Sequence, residues 1–73
     1  MKPNAKQEYN LTLREHQVLN LLVEGFNHRE IANTLSISCH TSREYIARIY
    51  SKLHVSNRVQ CVIKAIKINS ENR

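Results

Sequence analysis

The chain has 73 residues, of which 41% are hydrophobic, with one Gly, one Pro and no Trp. A chain of this length forms one domain that buries only roughly 60% of its unfolded surface, which excludes a large enclosed active-site cavity. The formal net charge of +5 favours a polyanionic partner, and it is uneven, because residues 25–58 carry five basic and two acidic side chains.

Residues 1–10 show no apolar periodicity and contain the single proline, so they are predicted to be a flexible lead-in. The first helix is predicted to start after Thr12, because Thr12 and Glu15 have the spacing of a capping box. Apolar residues at helical spacing continue to Val23, and Gly25 supplies the left-handed residue that ends the helix.

A second and a third helix follow with a short connection. Asn27 and Glu30 repeat the capping geometry, and the second helix is predicted to end near Leu35. About three residues later Ser38 caps the third helix, which covers about residues 38–53. Two short helices joined in this way are typical of a helix-turn-helix, in which the second helix lies in the major groove of DNA.

The third helix is predicted to have one buried and one presented face. Helical spacing places the following side chains toward the core: Ser42, Ile46, Ile49 and Leu53. The opposite face carries polar and small residues: His40, Arg43, Glu44, Ala47 and Ser51. This face begins at the helix N-terminus, where the dipole and the unpaired amides favour phosphate.

A fourth helix is predicted to start after Ser56 and has two apolar stripes. The stripe expected to pack inward consists of Val59, Val62, Ile63 and Ile66. The second stripe, which a monomer would expose, consists of Cys61, Ala65 and Ile68. An exposed apolar stripe on so small a domain indicates a partner surface. Residues 69–73 are predicted to be a polar tail.

Other classes of function lack the residues they need. Cys39 and Cys61 have no CxxC spacing and are too few for a disulfide framework, so reduced thiols in a cytosolic protein are expected. The histidines show no ligand spacing, so neither a metal nor a cofactor is expected. No apolar run approaches the roughly 18 residues of a membrane span. His40, Thr41 and Ser42 diverge as helix neighbours, so no enzyme is expected.

The motifs LTxRE, VLxLLxxG, EIAxxLxIS and IxxKLxVxNR follow one another across about residues 11–68. In this order and spacing they resemble the LuxR/GerE-type DNA-binding domain, either a stand-alone member of that family or an excised effector domain. The resemblance implies an all-α, four-helix fold. It implies a bacterial, sequence-specific transcriptional regulator that binds double-stranded DNA as a homodimer, in the cytoplasm and on the nucleoid when bound.

The resemblance also assigns roles to residues of the third and fourth helices. It implies that bases are contacted by Arg43, Glu44 and Ala47, that His40 and Thr41 lie near phosphates, and that the last helix forms the dimer interface, here Cys61, Ala65 and Ile68. The residues themselves support Arg43, whose guanidinium matches the O6 and N7 acceptors of guanine. Open alternatives are a solvated Arg43, an ion pair of Glu44 with Arg48, and an Ala47 that only favours the helix.

Further phosphate contacts are predicted beside the presented face, at Thr41, Arg48, Lys52 and Arg58, because such contacts fix register without reading sequence. Lys52 has an alternative role as the ion-pair partner of Glu15 or Glu30. Tyr45 and Tyr50 are expected to cover the edge of the core, with the Tyr45 hydroxyl able to reach a phosphate.

The chain departs from the family pattern at Ser42, where Val is usual, and at Tyr45, where His is usual. These departures keep two alternatives open. One is a protein-interaction adaptor of the same fold that acts on RNA polymerase or another regulator. The other is a sigma-factor-like promoter-reading domain, which shares the four-helix arrangement.

Overall fold

The computed structural model describes residues 9–71, with side chains up to Ile68. This part of the chain folds into four helices and contains no strand, so the all-α prediction is confirmed. In chain order the helices are α1 (Leu13–Val23), α2 (His28–Leu35), α3 (Cys39–Leu53) and α4 (Arg58–Glu71). No helix within the described range is long and apolar enough to cross a membrane.

Both predicted capping boxes are present. At the start of α1, Thr12 Oγ1 accepts a hydrogen bond from the Glu15 amide at 3.1 Å, and Glu15 Oε1 accepts one from the Thr12 amide at 2.9 Å. At the start of α2, Asn27 and Glu30 exchange the same two bonds, each 2.9 Å long. Gly25 follows α1 with a φ of +98°, a conformation that side-chain-bearing residues rarely adopt.

The connection between α2 and α3 is the predicted tight turn. Ser36 ends α2 in the left-handed conformation, with a φ of 56°. Ser38 then begins α3, because its Oγ accepts a hydrogen bond from the Thr41 amide at 3.0 Å. With only three residues between them, α2 holds the N-terminal end of α3 in a defined place.

The cap of α4 is one residue later than predicted. Asn57, and not Ser56, accepts the hydrogen bond from the Gln60 amide, at 2.9 Å. The Ser56 amide instead donates to Gln60 Oε1 at 2.9 Å. Ser56 and Asn57 are both residue types that can cap a helix, and Asn57 takes this role. The long side chain of Gln60 accepts from the Ser56 amide, which lies outside the helix.

One core joins the four helices. Its buried hydrophobic cluster draws on every helix and comprises Val18, Leu19, Leu22, Ile31, Ile49, Leu53, Cys61, Ala65 and Ile68. Because α3 contacts both α1 and α2 and also α4, the other three helices brace it from behind.

The two stripes of α4 are placed the opposite way from the prediction, except that Val62 of the predicted inward stripe is half-buried. Cys61, Ala65 and Ile68 are buried in the core, with 0%, 2% and 8% of their surface exposed. Burial raises the pKa of the Cys61 thiol, so this side chain is a neutral, small core residue. Assigning these three residues to a dimer interface was therefore wrong, because they face the interior of their own protomer.

A hydrogen bond between α4 and α1 explains this orientation. Arg58 Nη2 donates to the Leu22 carbonyl oxygen, near the end of α1, at 3.0 Å. Arg58 lies three residues before Cys61 and therefore on the same face of α4 as the buried stripe. Small residues at Cys61 and Ala65 also allow α4 to approach its neighbours closely. The larger residues of the other stripe consequently face solvent.

The two ends of the chain extend the predicted domain. Tyr9 is half-buried and packs against the core, although it falls in the predicted lead-in. The helix α4 continues to Glu71, where a tail was predicted. The remaining lead-in, residues 1–8, and the last two positions of the tail lie outside the described residues.

Candidate nucleic-acid interface

The helix α3 presents one polar face to solvent. The exposed side chains of α3 are Cys39 in its first turn and then His40, Arg43, Glu44, Ala47, Arg48 and Ser51. On the opposite side Ser42, Ile49 and Leu53 are buried, and Ile46 is half-buried against the core. The structure therefore brings together the predicted set of base-contact residues, Arg43, Glu44 and Ala47, on an open surface about one and a half turns long.

The N-terminus of α3 differs from those of α1 and α2. The first turns of α1 and α2 each hold a glutamate, whereas the first turn of α3 holds no acidic residue. Ser38 satisfies only one of its free amides, that of Thr41, and its hydroxyl also donates to Thr41 Oγ1 at 2.9 Å. The positive end of the α3 dipole is thus not compensated by a side-chain carboxylate.

The Glu44 carboxylate lies beside a different neighbour from the one expected. Its Oε2 lies 3.5 Å from His40 Nε2, one turn earlier on α3. The alternative pairing of Glu44 with Arg48 is not formed. His40, which was predicted to lie near a phosphate, is exposed, and its imidazole lies beside the Glu44 carboxylate.

Arg48 is held by an aromatic ring. Its Cζ lies 5.5 Å from the centroid of the Tyr45 ring, a cation–π distance. The sequence reasoning treated these residues separately and missed the contact. The signal was available, because residues three apart on a helix are neighbours.

Lys52 takes its alternative role and forms an internal ion pair. Its Nζ donates to Glu15 Oε1 at 2.7 Å and to the Asn10 carbonyl oxygen at 2.9 Å. Glu15 is only 3% exposed, and it also caps α1, so removing Lys52 would leave a buried carboxylate without its cation. The geometry therefore favours a structural role for Lys52 over a phosphate contact.

The pKa of the Glu15 carboxyl reflects this arrangement. Burial raises the pKa, but the hydrogen bonds from Lys52 and from the Thr12 backbone, together with the charge of Lys52, outweigh burial. The pKa therefore lies below its ordinary value of 4.5, and Glu15 is ionised at neutral pH.

Arg58 is half-buried and is also used internally, through its bond to the Leu22 carbonyl oxygen. That bond uses one of the five N–H donors of the guanidinium. The remaining donors leave Arg58 able to meet an anion, but with less freedom than an arginine on an open surface.

Ser42 is a weak point in the buried face of α3. Its side chain is fully buried, and its hydroxyl oxygen has no hydrogen-bond partner. A buried hydroxyl without a partner costs free energy relative to an apolar side chain of the same shape. An unpartnered hydroxyl at this position therefore anchors α3 in the core less firmly than an apolar side chain would.

The outward face of α4 is apolar. Val59, Ile63 and Ile66 are 68%, 51% and 54% exposed. They are spaced four and three residues apart and therefore form one stripe along the helix. We call this stripe the α4 outer face. Their helical spacing had predicted that these residues pack into the core.

Together, the tight turn between α2 and α3 and the exposed polar face of α3 define a helix-turn-helix domain. The family model of bacterial regulatory proteins of the luxR family matches residues 9–65. The chain therefore belongs to the luxR family and is a DNA-binding transcription-regulator domain. This confirms the family predicted from the motifs.

Two known regulators each contain a region whose sequence is similar to this chain. The transcriptional regulatory protein DesR of Bacillus subtilis is 46% identical over 55 residues, which are 75% of this chain and 28% of DesR. The response regulator protein VraR of Staphylococcus aureus is 38% identical over 69 residues, which are 94% of this chain and 33% of VraR. The chain thus spans about a third of the length of these relatives.

Proposed function

We propose that the chain reads a specific double-stranded DNA sequence by placing α3 in the major groove. The observation that carries this proposal is the exposed polar face of α3, whose opposite side is anchored in the core. Arg43, Glu44 and Ala47 contact base edges. Arg43 matches guanine, Glu44 can accept from cytosine N4, and Ala47 can touch a thymine methyl group.

Phosphate contacts surround this reading surface in the proposal. His40 and Thr41 lie at the uncompensated N-terminus of α3, which favours an anion. Arg48, on the exposed face of α3, and the remaining donors of Arg58, at the start of α4, add positive charge. Lys52 is not among the proposed phosphate contacts, because its ammonium group is already paired with Glu15.

We further propose that two copies bind as a homodimer through the α4 outer face. Three exposed apolar side chains on so small a domain are costly in water, and a second copy of the same stripe would cover them. The α4 outer face and the reading surface belong to different helices, so pairing through α4 uses none of the residues proposed to read DNA. Two half-sites should then lie about 10 base pairs, or one helical turn, apart.

The regulator would act in the bacterial cytoplasm, bound to the nucleoid. The relatives are named as a transcriptional regulator and as response regulators. Those names support a role in transcription, in which RNA polymerase is a further candidate partner.

The test is selection of bound duplexes from a random pool, followed by sequencing. The expected result is one enriched motif with two-fold symmetry, together with an affinity that falls steeply as salt rises. The absence of any enriched motif would contradict sequence-specific binding. It would favour the adaptor function, for which the α4 outer face is the supporting observation.

A further inference from the structure

We propose that Tyr45 positions Arg48 for its phosphate contact, by holding the guanidinium against the face of its ring. This inference rests on the proposed DNA-binding function and adds a residue that makes no DNA contact of its own.

The ring is fixed, whereas the arginine is exposed. Tyr45 is half-buried and packs against the hydrophobic core, so its ring moves with the body of the domain. Arg48 is exposed, and its Cζ lies 5.5 Å from the ring centroid, within the roughly 6 Å over which a cation is attracted to an aromatic face. An otherwise mobile side chain is thereby tied to the core.

The ring also keeps Arg48 away from a carboxylate. Glu44 lies four residues before Arg48, at a spacing that favours an ion pair on a helix. In the structure Glu44 is instead placed beside His40, at 3.5 Å, and Arg48 lies over Tyr45. The positive charge of Arg48 is therefore not neutralised by its nearest acidic neighbour on the helix.

Both effects strengthen a phosphate contact. A free arginine loses side-chain freedom when it binds, and an arginine already held near its bound position loses less. Part of the entropy cost of ordering one long side chain corresponds to about a two- to fivefold change in affinity. Removing the ring should weaken DNA binding by this factor when Arg48 is present. It should have no effect on affinity when Arg48 has been replaced by Ala.

The experiment compares the wild type with Tyr45→Phe, Tyr45→Leu, Arg48→Ala and the double variant Tyr45→Leu/Arg48→Ala. The probe is a fluorescein-labelled random-sequence duplex of about 30 base pairs, or about three helical turns, because phosphate contacts do not depend on sequence. Affinity is measured by anisotropy at several salt concentrations. Circular dichroism melting of each variant reports whether it is folded.

The expected result has three parts. Tyr45→Phe binds like the wild type, because it retains the ring. Tyr45→Leu binds about two- to fivefold more weakly than the wild type, but the double variant binds no more weakly than Arg48→Ala. Arg48→Ala reduces the slope of affinity against salt by about one. If Tyr45→Leu fails to fold, Tyr45→Met replaces it, because a flexible methionine fills a similar volume without a ring.

Three results would overturn the inference while leaving DNA binding intact. The first is an equal loss from Tyr45→Leu with and without Arg48. The second is a loss in Tyr45→Phe as large as in Tyr45→Leu, which would make the hydroxyl the active group. The third is full affinity in Tyr45→Leu. A wild type without salt-dependent binding would instead overturn the proposed function and this inference with it.

Discussion

The helices α3 and α4 each bury one face in the same core but present opposite chemistry to solvent. The outer side of α3 is polar and charged, with Arg43 and Arg48 exposed. The outer side of α4 carries Val59, Ile63 and Ile66. A polar face is stable in water alone, whereas an apolar stripe gains free energy when it is covered. The difference supports the proposal that α3 meets DNA, a hydrated and charged partner, and that α4 meets a second protein chain.

The largest effect should come from placing a charge on the α4 outer face. We expect Ile63→Glu to prevent pairing and to lower affinity for a duplex with two half-sites by roughly 100-fold, because linked binding is lost. The free energy of unfolding of the protomer should change by less than about 0.5 kcal/mol, because Ile63 is exposed. Sedimentation velocity and anisotropy measure the two quantities.

Gln60→Glu is the matched control for this change. Gln60 is exposed on the same helix, and glutamate retains the oxygen that accepts from the Ser56 amide. This variant should still dimerise. An Ile63→Glu protein that stays dimeric on DNA would assign the interface elsewhere and remove the contrast between α3 and α4.

The reading face of α3 is tested by Arg43→Ala. Loss of its paired hydrogen bonds to guanine should cost about 1–3 kcal/mol of binding free energy and relax specificity at one base pair. Arg48→Ala is the control, because it should weaken all sequences alike. An unchanged sequence preference in Arg43→Ala would show that Arg43 is not a base reader.

The anchoring of α3 is tested by Lys52→Ala, which leaves the Glu15 carboxylate buried and unpaired. We expect the free energy of unfolding to fall by about 2 kcal/mol, less than for a fully buried pair because Lys52 is partly exposed. Chemical denaturation measures this change. Arg43→Ala, which removes an exposed cation from the same helix, should leave stability within about 0.5 kcal/mol. Equal losses in both variants would refute the structural role of Lys52.

A smaller gain is expected from Ser42→Ala, which removes the buried hydroxyl without a partner. It should raise the free energy of unfolding by about 1 kcal/mol more than Ser51→Ala, the same change at an exposed position of α3. The comparison cancels the helix preference of alanine. If Ser42→Ala is less stable than the wild type, the hydroxyl has a favourable contact or the cavity left behind dominates.

The smallest effect is the acid dependence of stability. The pKa of Glu15 is lower in the folded chain than its ordinary value of 4.5, so the folded state binds this proton less readily. The resulting stabilisation is fully present above pH 4.5 and is lost as the pH falls through the lowered pKa. Denaturation at several acidic pH values should show this loss, and it should be smaller in Lys52→Ala. An identical acid dependence in both proteins would contradict the coupling.

Local patterns were sufficient to predict most of the fold. The two capping boxes, Gly25 and the cap at Ser38 need only neighbouring residues, and all of them are present. The faces of α3 were also predictable, because its apolar residues form a single stripe. For α4 two apolar stripes were available, and helical spacing alone could not decide which of them is buried.

The contacts of the candidate site required more than local spacing. Lys52 and Glu15 are 37 residues apart, and no local pattern could choose between Glu15 and Glu30 as its partner. Arg58 and Leu22 are likewise 36 residues apart. The contact of Arg48 with Tyr45 was local, but it competed with the equally local ion pair to Glu44.

The sequence by itself determined where α1, α2 and α3 begin and end, the helix-turn-helix order and the polar face of α3. These features follow from interactions between residues at most a few positions apart. Only the tertiary structure decided which stripe of α4 is buried and which cations are internal. The reason is that the orientation of α4 depends on contacts between distant parts of the chain. In this orientation Arg58 reaches α1, and the small side chains of Cys61 and Ala65 pack into the core.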